Sequence, residues 1–409
     1  MSIALKMAWR NIWRNRRRSV LTMAAIAFAC TLLIFMLSFQ FGAYETMINS
    51  ALWIHTGHFQ VQAEGYHDDP SVRKVVADPD RVAQVLSDVP QVTAFAPRAA
   101  GFALVSSETR TYGVMVNGVD PKREPAVSRI PKLVREGRFL EPGDVDAAML
   151  GELLAENLQV GLGDSVTLLG QGRDGSIAAA VATVRGIFHS GQDEFDRSAL
   201  YLPLDYFQEV FFMRGAVHKL VAATDSLGGV PEAERAVREA LADPSGLVVL
   251  DWDQLMPGLS QSILIDLISG LIFYGLLLVV VAFSILNTFL MAVLERTREF
   301  GVMMALGTSR NRLTRLLLTE SMLLTGVGIG LGVALGCAVT LFFQFHGIEM
   351  SEAAELLRQF GISGTLYPRL SWLSASIGPV LSLFITFLAA VYPALRVRRL
   401  TPVEAMRHA

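Results

Sequence analysis

Ser19–Gly42 reads SVLTMAAIAFACTLLIFMLSFQFG, 24 residues without one charged side chain. About 20 predominantly apolar residues cross the hydrocarbon core of a bilayer, and within lipid only a helix or a closed barrel satisfies its own backbone. Three further stretches have the same character: Leu264–Leu294, Leu313–Phe345 and Trp372–Leu395. Between the first and second lies a polar insert of some 220 residues (43–263). The expectation is a four-helix membrane protein with one large α+β domain inserted between the first two spans. Composition agrees, with 52% hydrophobic and 18% charged residues and a mean hydropathy of +0.42.

Charge distribution orients the chain. Residues 1–18 carry Lys6, Arg10, Arg14, Arg16, Arg17 and Arg18 and no acid. The loop 295–312 and the tail 396–409 are rich in arginine, whereas residues 43–265 hold 18 basic and 30 acidic residues. Short basic loops stay on the cytoplasmic side. Both termini and the 295–312 loop are therefore expected in the cytoplasm. The insert and the loop 346–371 are expected outside, in a bacterial inner membrane. The first span is too long for the apolar core of a cleaved leader, and no small-residue cleavage site follows it. The two cysteines, Cys30 and Cys337, both fall inside spans, so the outer domain folds without a disulfide.

Leu5, Trp9, Ile12 and Trp13 share one helical face and Lys6, Arg10, Arg14 and Arg17 the other, the pattern of a helix lying along the membrane surface. Tyr44, Ile48 and Leu52 continue a helical stripe beyond the first span, and Leu264–Leu294 at about 1.5 Å per residue exceeds a core of about 30 Å. These two spans are expected to project outward as a stalk. Within the insert, strands are expected at His58–Ala63, Ala103–Val105, Tyr112–Asn117, Ser165–Leu169, Ala180–Ile187, Ala199–Leu202 and Lys219–Ala223. Helices are expected at Pro79–Ser87, Gly151–Leu158, Asp205–Phe211 and Pro231–Ala242, with one more, Glu352–Phe360, in the second outer loop. Gly328, Gly332 and Gly336 in the third span lie four residues apart, which lets helix backbones approach closely; Gly326 and Gly330 lie beside them.

Catalytic signatures are missing. No GxxxxGK[ST], HExxH or GxSxG occurs, and Gly301–Thr308 has the glycine spacing of a phosphate loop but no lysine. His55, His58 and His67 near Asp68 and Asp69 lack a fourth spaced metal ligand and read as polar residues at the stalk exit. His189 with Asp193, Glu194 and Asp196 reads as a solvated loop. No metal, cofactor or catalytic residue is expected on this chain. Asn287 and Glu320 are polar residues inside spans 2 and 3, eight residues from Glu295 and Arg312 respectively, about 12 Å along each helix. A buried acid in a span marks a functional position. Glu320 is expected to hydrogen-bond Asn287, in this subunit or a partner, or to reach into the headgroups.

The cytoplasmic loop Glu295-Arg-Thr-Arg-Glu-Phe-Gly-Val-Met-Met-Ala-Leu-Gly307 places Phe300, Met303 and Met304 on one helical face. Arg296, Arg298 and Glu299 flank that face, and Gly307 suits the end of the helix. Such a helix suits a protein groove, or else packing on the membrane surface. This motif resembles the coupling helix of FtsX-like, MacB-type (type VII) ABC transporter permeases. Ala8-Trp-Arg-Asn-Ile-Trp-Arg-Asn15 is similar to that family's N-terminal entry, and Leu400-Thr-Pro-Val-Glu-Ala-Met-Arg407 to its tail. Gly137–Leu140, Val160–Asp164 and Gly186–Gly191 resemble its outer domain. Phe300 and Val302 replace the family's usual isoleucines and Thr308 its frequent alanine, and, unlike in the family's macrolide exporters, no fused ATPase domain is expected. The layout is most similar to LolC/LolE-like lipoprotein-releasing permeases.

The resemblance implies a mechanotransmission subunit, a dimer of two permeases, served by two copies of a separate ATPase that holds the ATP and Mg2+. Glu295, Arg296, Arg298, Glu299, Phe300, Met303, Met304 and Gly307 would engage that ATPase. The substrate would be a lipoprotein or another amphipathic molecule lifted from the outer leaflet, with a periplasmic acceptor. Phe35, Phe39, Ile272 and Phe273 are its expected groove. The alternative is a regulator passing ATPase motion to a periplasmic hydrolase.

Overall fold

The computed structural model describes residues 3–241, 246–349 and 365–398; the expected helix at Glu352–Phe360 lies outside them. The chain begins with α1 (Ile3–Arg14), α2 (Arg16–Ala51) and a π-turn (Leu52–Thr56). There follow β1 (Phe59–Ala63), α3 (Pro79–Asp88), β2 (Val92–Ser106), β3 (Thr111–Val119), β4 (Val134–Gly137) and β5 (Ala147–Gly151). Next come α4 (Glu152–Leu158), β6 (Ser165–Gln171), β7 (Ile177–Phe188), α5 (Asp193–Ser198), β8 (Ala199–Pro203) and α6 (Leu204–Val210). The insert ends with β9 (Lys219–Thr224), α7 (Val230–Ala240), β10 (Leu247–Asp251) and α8 (Trp252–Leu255). The last part holds α9 (Pro257–Glu295), α10 (Thr297–Ala305), α11 (Arg310–His346), the strand pair β11 (Ile348–Glu349) and β12 (Thr365–Leu366), and α12 (Trp372–Arg398). Two compact units result, residues 3–45 with 263–349 and 365–398, and residues 46–262.

The first unit is helical. Four helices, α2, α9, α11 and α12, are long and apolar enough to cross a membrane. α2 and α9 contain 36 and 39 residues, about 54 and 58 Å at the helical rise, well beyond a core of about 30 Å. The glycine spacing in α11 has the effect expected of it. A Cβ at Gly332 would stand 2.6 Å from Cys30 Cβ and 2.7 Å from the Ala27 carbonyl, and one at Gly328 3.0 Å from Ile26. Span 3 therefore lies against span 1 at backbone distance, and Thr31 Oγ1 donates to the Gly332 carbonyl at 3.1 Å. Gly326 and Gly330 face open space.

The second unit is built on a ten-stranded mixed sheet in the order β10-β1-β9-β2-β3-β8-β5-β7-β4, with β6 bridging β2 and β7. Because β6 pairs with both, the strands β2, β3, β8, β5, β7 and β6 close on themselves. The interior is filled by alternating residues such as Ala103, Val105, Val116, Leu150, Leu168, Val184 and Leu200. The fifteen-residue β2 serves both halves of the sheet: its first part pairs with β9 and its last part with β6. α3 and α7 cover the outer half through Val82, Leu86, Ala233 and Val237 against Phe59, Val61 and Leu220.

Each strand and helix expected in the insert is present, and most are longer. The structure adds β4, β5, β10, α5 and α8. β5 (AAMLG) is buried along its whole length and shows no alternation to betray it.

Candidate functional site

Two constructions stand out in the described residues: a charged elbow around α10 and a socket around the end of α2.

The elbow begins where α9 stops at Glu295 and α10 starts at Thr297. Phe300 is fully buried with Val293, Leu313 and Leu317, and Met303 and Met304 pack against that cluster. Phe300, expected as a docking residue, is turned into the bundle in this chain. The physical reason is the sharp turn between α9 and α11, which needs its own small apolar core. The outward stripe is instead Arg298, Val302 and Leu306, with Leu306 82% exposed. Gly307 ends the helix at φ +93°, a conformation that favours glycine.

Charges brace this elbow. Arg296 Nη1 donates to Glu320 Oε2 of α11 at 3.1 Å, and its Nε reaches Glu299 at 3.3 Å. Asn11 of α1 donates to the same Glu320 carboxylate at 3.3 Å, and Arg14 pairs with Glu299. Arg18 of α2 meets Glu295 at 2.7 Å. The Arg14 guanidinium hydrogen-bonded to Glu299 holds that carboxyl below its usual range, and Arg296 adds to the effect. α1, the elbow and spans 1 and 3 are thus linked by ion pairs and hydrogen bonds. Glu320 was expected to hydrogen-bond Asn287; within this chain it is instead taken by Arg296 and Asn11, while Asn287 is exposed on α9. Helix rotation explains the difference, since Ile285 and Phe289, not Asn287, face the bundle.

The expected groove residues fall in different surroundings. Phe35 stacks on Phe39 and packs edge-on against Phe343 of α11, with ring centroids 6.3 and 5.8 Å apart. Ile272 and Phe273 are exposed on α9, 70% and 58% respectively. What joins α2 and α9 near this level is polar. Asp266 accepts from Tyr44 Oη at 2.6 Å and Gln40 Nε2 at 3.1 Å, and Tyr274 donates to Gln40 Oε1 at 3.0 Å.

The socket was not visible in the sequence. A helix end leaves carbonyls without partners, and these need capping when buried. Every carbonyl of the π-turn finds one. Gly57 N–H donates to Leu52 at 2.8 Å, Arg129 N–H to Trp53 at 2.7 Å and Ser128 Oγ to Ile54 at 3.2 Å. Arg98 Nη1 donates to the His55 carbonyl, and Gln60 Nε2 to that of Thr56 at 2.7 Å. Arg98 is itself held by Glu124 through two parallel bonds of 3.0 and 2.7 Å, with side chains 1% and 0% exposed. Half-buried Lys219 stands opposite Arg98 on β9, and burial, reinforced by Arg98, pushes its amine down to about 7. Gly57 follows at φ +70°, and a Cβ there would lie 2.2 Å from Val221 Cγ1.

His55 and His58 are held by neighbouring side chains and backbone. His58 Nδ1 accepts from Thr224 N–H at 2.9 Å, and His55 Nδ1 lies 3.2 Å from Tyr201 Oη. Among the described residues no group of three acidic, histidine or cysteine side chains is arranged to hold a metal. In the acidic stretch after His189, expected as a solvated loop, Asp193 and Glu194 are exposed but Asp196 is not. The stretch forms α5, and Asp196 is fully buried, accepting from Ser190 N–H at 2.9 Å and Ser190 Oγ at 2.6 Å. Burial raises the Asp196 carboxyl above its usual range.

Residues 19–240 match the family described as the MacB-like periplasmic core domain, and residues 271–402 match the FtsX-like permease C-terminal region. This chain belongs to the FtsX-like ABC transporter permeases that carry a MacB-like periplasmic core domain, and is a non-catalytic membrane subunit. It is 27% identical over 411 residues to the lipoprotein-releasing system transmembrane protein LolC of Xylella fastidiosa (strain 9a5c), covering 97% of this chain and 95% of that protein. With LolE of Haemophilus influenzae it shares 25% identity, covering 93% and 92% of the two chains. The crystallised periplasmic region of MacB from Actinobacillus actinomycetemcomitans aligns over 51% of this chain and 94% of that structure, with 14% identity and a TM-score of 0.37.

Proposed function

We propose that this permease converts the closing stroke of a separate ABC ATPase, which holds the ATP and Mg2+, into work on an amphipathic substrate, a lipoprotein, at the outer leaflet of a bacterial inner membrane. Both termini and α10 lie in the cytoplasm in this proposal, a placement that the arginine-rich short loops support. Two permeases and two ATPase copies make the assembly. The exposed stripe Arg298, Val302 and Leu306 docks in the ATPase, and Phe300, Met303 and Met304 stiffen it from behind.

The observation that carries this reading is the bracing of the elbow. A push on α10 passes through Arg296, Glu320, Glu299 and Arg14 to α1 and to spans 1 and 3. Within the second unit, the socket ties the π-turn (Leu52–Thr56) to the sheet that follows it in the chain. Extraction opposes roughly 0.8 kcal/mol per buried CH2, so it needs an external energy source. Near-full-length similarity to LolC and LolE supports a lipoprotein as substrate.

Reconstituted vesicles carrying a fluorescent lipoprotein, the co-purified ATPase and ATP test the proposal. ATP-dependent release into solution is expected, lost with Leu306→Asp. Release that needs no ATPase, or that survives Leu306→Asp, would overturn it.

A further inference from the structure

α9 has two faces. Leu278, Ile285, Ala292 and Val293 are buried, and Val281 and Phe289 pack on the same side. On the opposite side Leu276, Val280, Phe283, Asn287, Met291 and Leu294 are all exposed. They recur every three or four residues, the repeat of a helix–helix seam. Between Asp266 and Glu295 the helix carries no charge, so this seam is apolar except at Asn287.

Asn287 sits eight residues before the cytoplasmic end of α9, about 12 Å along its axis, too deep for a short side chain to reach the headgroups. Among the described residues it has no hydrogen-bond partner. Lipid tails offer none, and an amide left unpaired in hydrocarbon is costly. We propose that Asn287 meets Asn287 of a second copy of this chain, each Nδ2–H donating to the other's Oδ1 across a two-fold axis. The inference rests on the paired-permease reading above and deepens it.

The occupant follows from the chemistry of the group. A carboxamide carries a donor and an acceptor side by side, so two of them facing each other satisfy one another with a closed pair of hydrogen bonds. A two-fold interface sets each residue on the axis against its own copy. A single Asn in an apolar seam also fixes register, because sliding either helix by a turn leaves both amides unpaired. Interhelical hydrogen bonds in membranes strengthen association by about threefold on average and by about twentyfold at most.

The test uses the full chain in proteoliposomes with its ATPase, with Cys30 and Cys337 replaced by alanine. Asn287→Cys, Phe283→Cys and Met291→Cys are expected to form disulfide-linked dimers on mild oxidation, and Ile285→Cys is not. Asn287→Leu is expected to weaken self-association threefold to twentyfold, and Asn287→Gln to retain most of it. ATPase co-purification with Asn287→Leu is expected to persist, which separates this inference from the permease reading itself. Absence of a 287–287 cross-link, unchanged association of Asn287→Leu, or cross-linking of residue 287 only to a different permease chain would overturn it.

Discussion

Glu124→Gln is the most informative perturbation of the outer unit. The substitution preserves shape but removes the charge that neutralises Arg98, whose side chain is 1% exposed. Breaking one partner of a buried pair costs about 3–5 kcal/mol, because the other charge stays buried without compensation. Gln retains one acceptor for the guanidinium, so the lower end, about 3 kcal/mol, is expected. For a unit of this size that lowers Tm by roughly 6–12 °C. The loss is local first. Arg98 also caps the His55 carbonyl, so the π-turn loosens with it. Hydrogen exchange at the Gly57 and Arg129 amides, which cap Leu52 and Trp53, is expected to accelerate by about a hundredfold. Lys219 next to Arg98 loses a carboxylate that raises its pKa, so its amine is expected to titrate still lower. The double variant Arg98→Met, Glu124→Leu removes both charges and is expected to recover most of the Tm, while the His55 carbonyl stays uncapped. A single variant as stable as the wild type, with unchanged exchange at Gly57 and Arg129, would refute the claim that this pair holds the socket.

Acid is expected to loosen the sheet through His218. This fully buried ring accepts from the Ala100 amide at Nδ1 and donates from Nε2 to the Val72 carbonyl, and burial pushes its pKa down to about 4. Between pH 6.5 and about 4 the unfolded chain binds more protons than the folded one. Stability is therefore full above pH 6.5 and falls by up to about 3 kcal/mol as pH drops to 4; His218→Gln is expected to flatten this slope in chemical denaturation. Gly332→Leu forces spans 1 and 3 apart, because Cys30 and Ala27 occupy the space beside it. Overpacking costs about 1–3 kcal/mol, and lower Tm with weaker disulfide cross-linking of an Ile34→Cys, Gly336→Cys pair is the expected result. Glu320→Gln leaves half-buried Arg296 without its carboxylate on α11, and faster hydrogen exchange in α10 of roughly tenfold is expected, with the transmembrane spans unchanged.

The spans, the inserted domain and the family motifs were legible because each is a local signal. An uncharged run, a turn dipeptide or Glu295–Gly307 can be read without knowing its neighbours. Helix rotation was legible only in part. Phe300 reads as an exposed anchor on a helical wheel, yet its position between Val293 and Leu317 is set by the sharp return of α11. Glu320 stands out in the sequence as an acid within a span; it is half-buried, and its partners come from Asn11 and Arg296, 309 and 24 residues away. The socket depends on Arg98, Glu124, Ser128 and Arg129 meeting the end of α2. The signal that was available was a lone arginine within an otherwise apolar strand, Ala94–Ala100, a residue type that rarely enters a sheet core unpaired.

The central claim is that motion of the elbow reaches the outer domain. Spin labels at Glu108→Cys, in the exposed β2–β3 turn, in two assembled copies report it by dipolar distance measurement in proteoliposomes. With the ATPase present, nucleotide binding is expected to shift the label–label distance distribution, and Leu306→Asp is expected to abolish the shift while the ATPase still hydrolyses ATP. A distribution indifferent to nucleotide in the wild type, or a full shift in Leu306→Asp, would contradict the account.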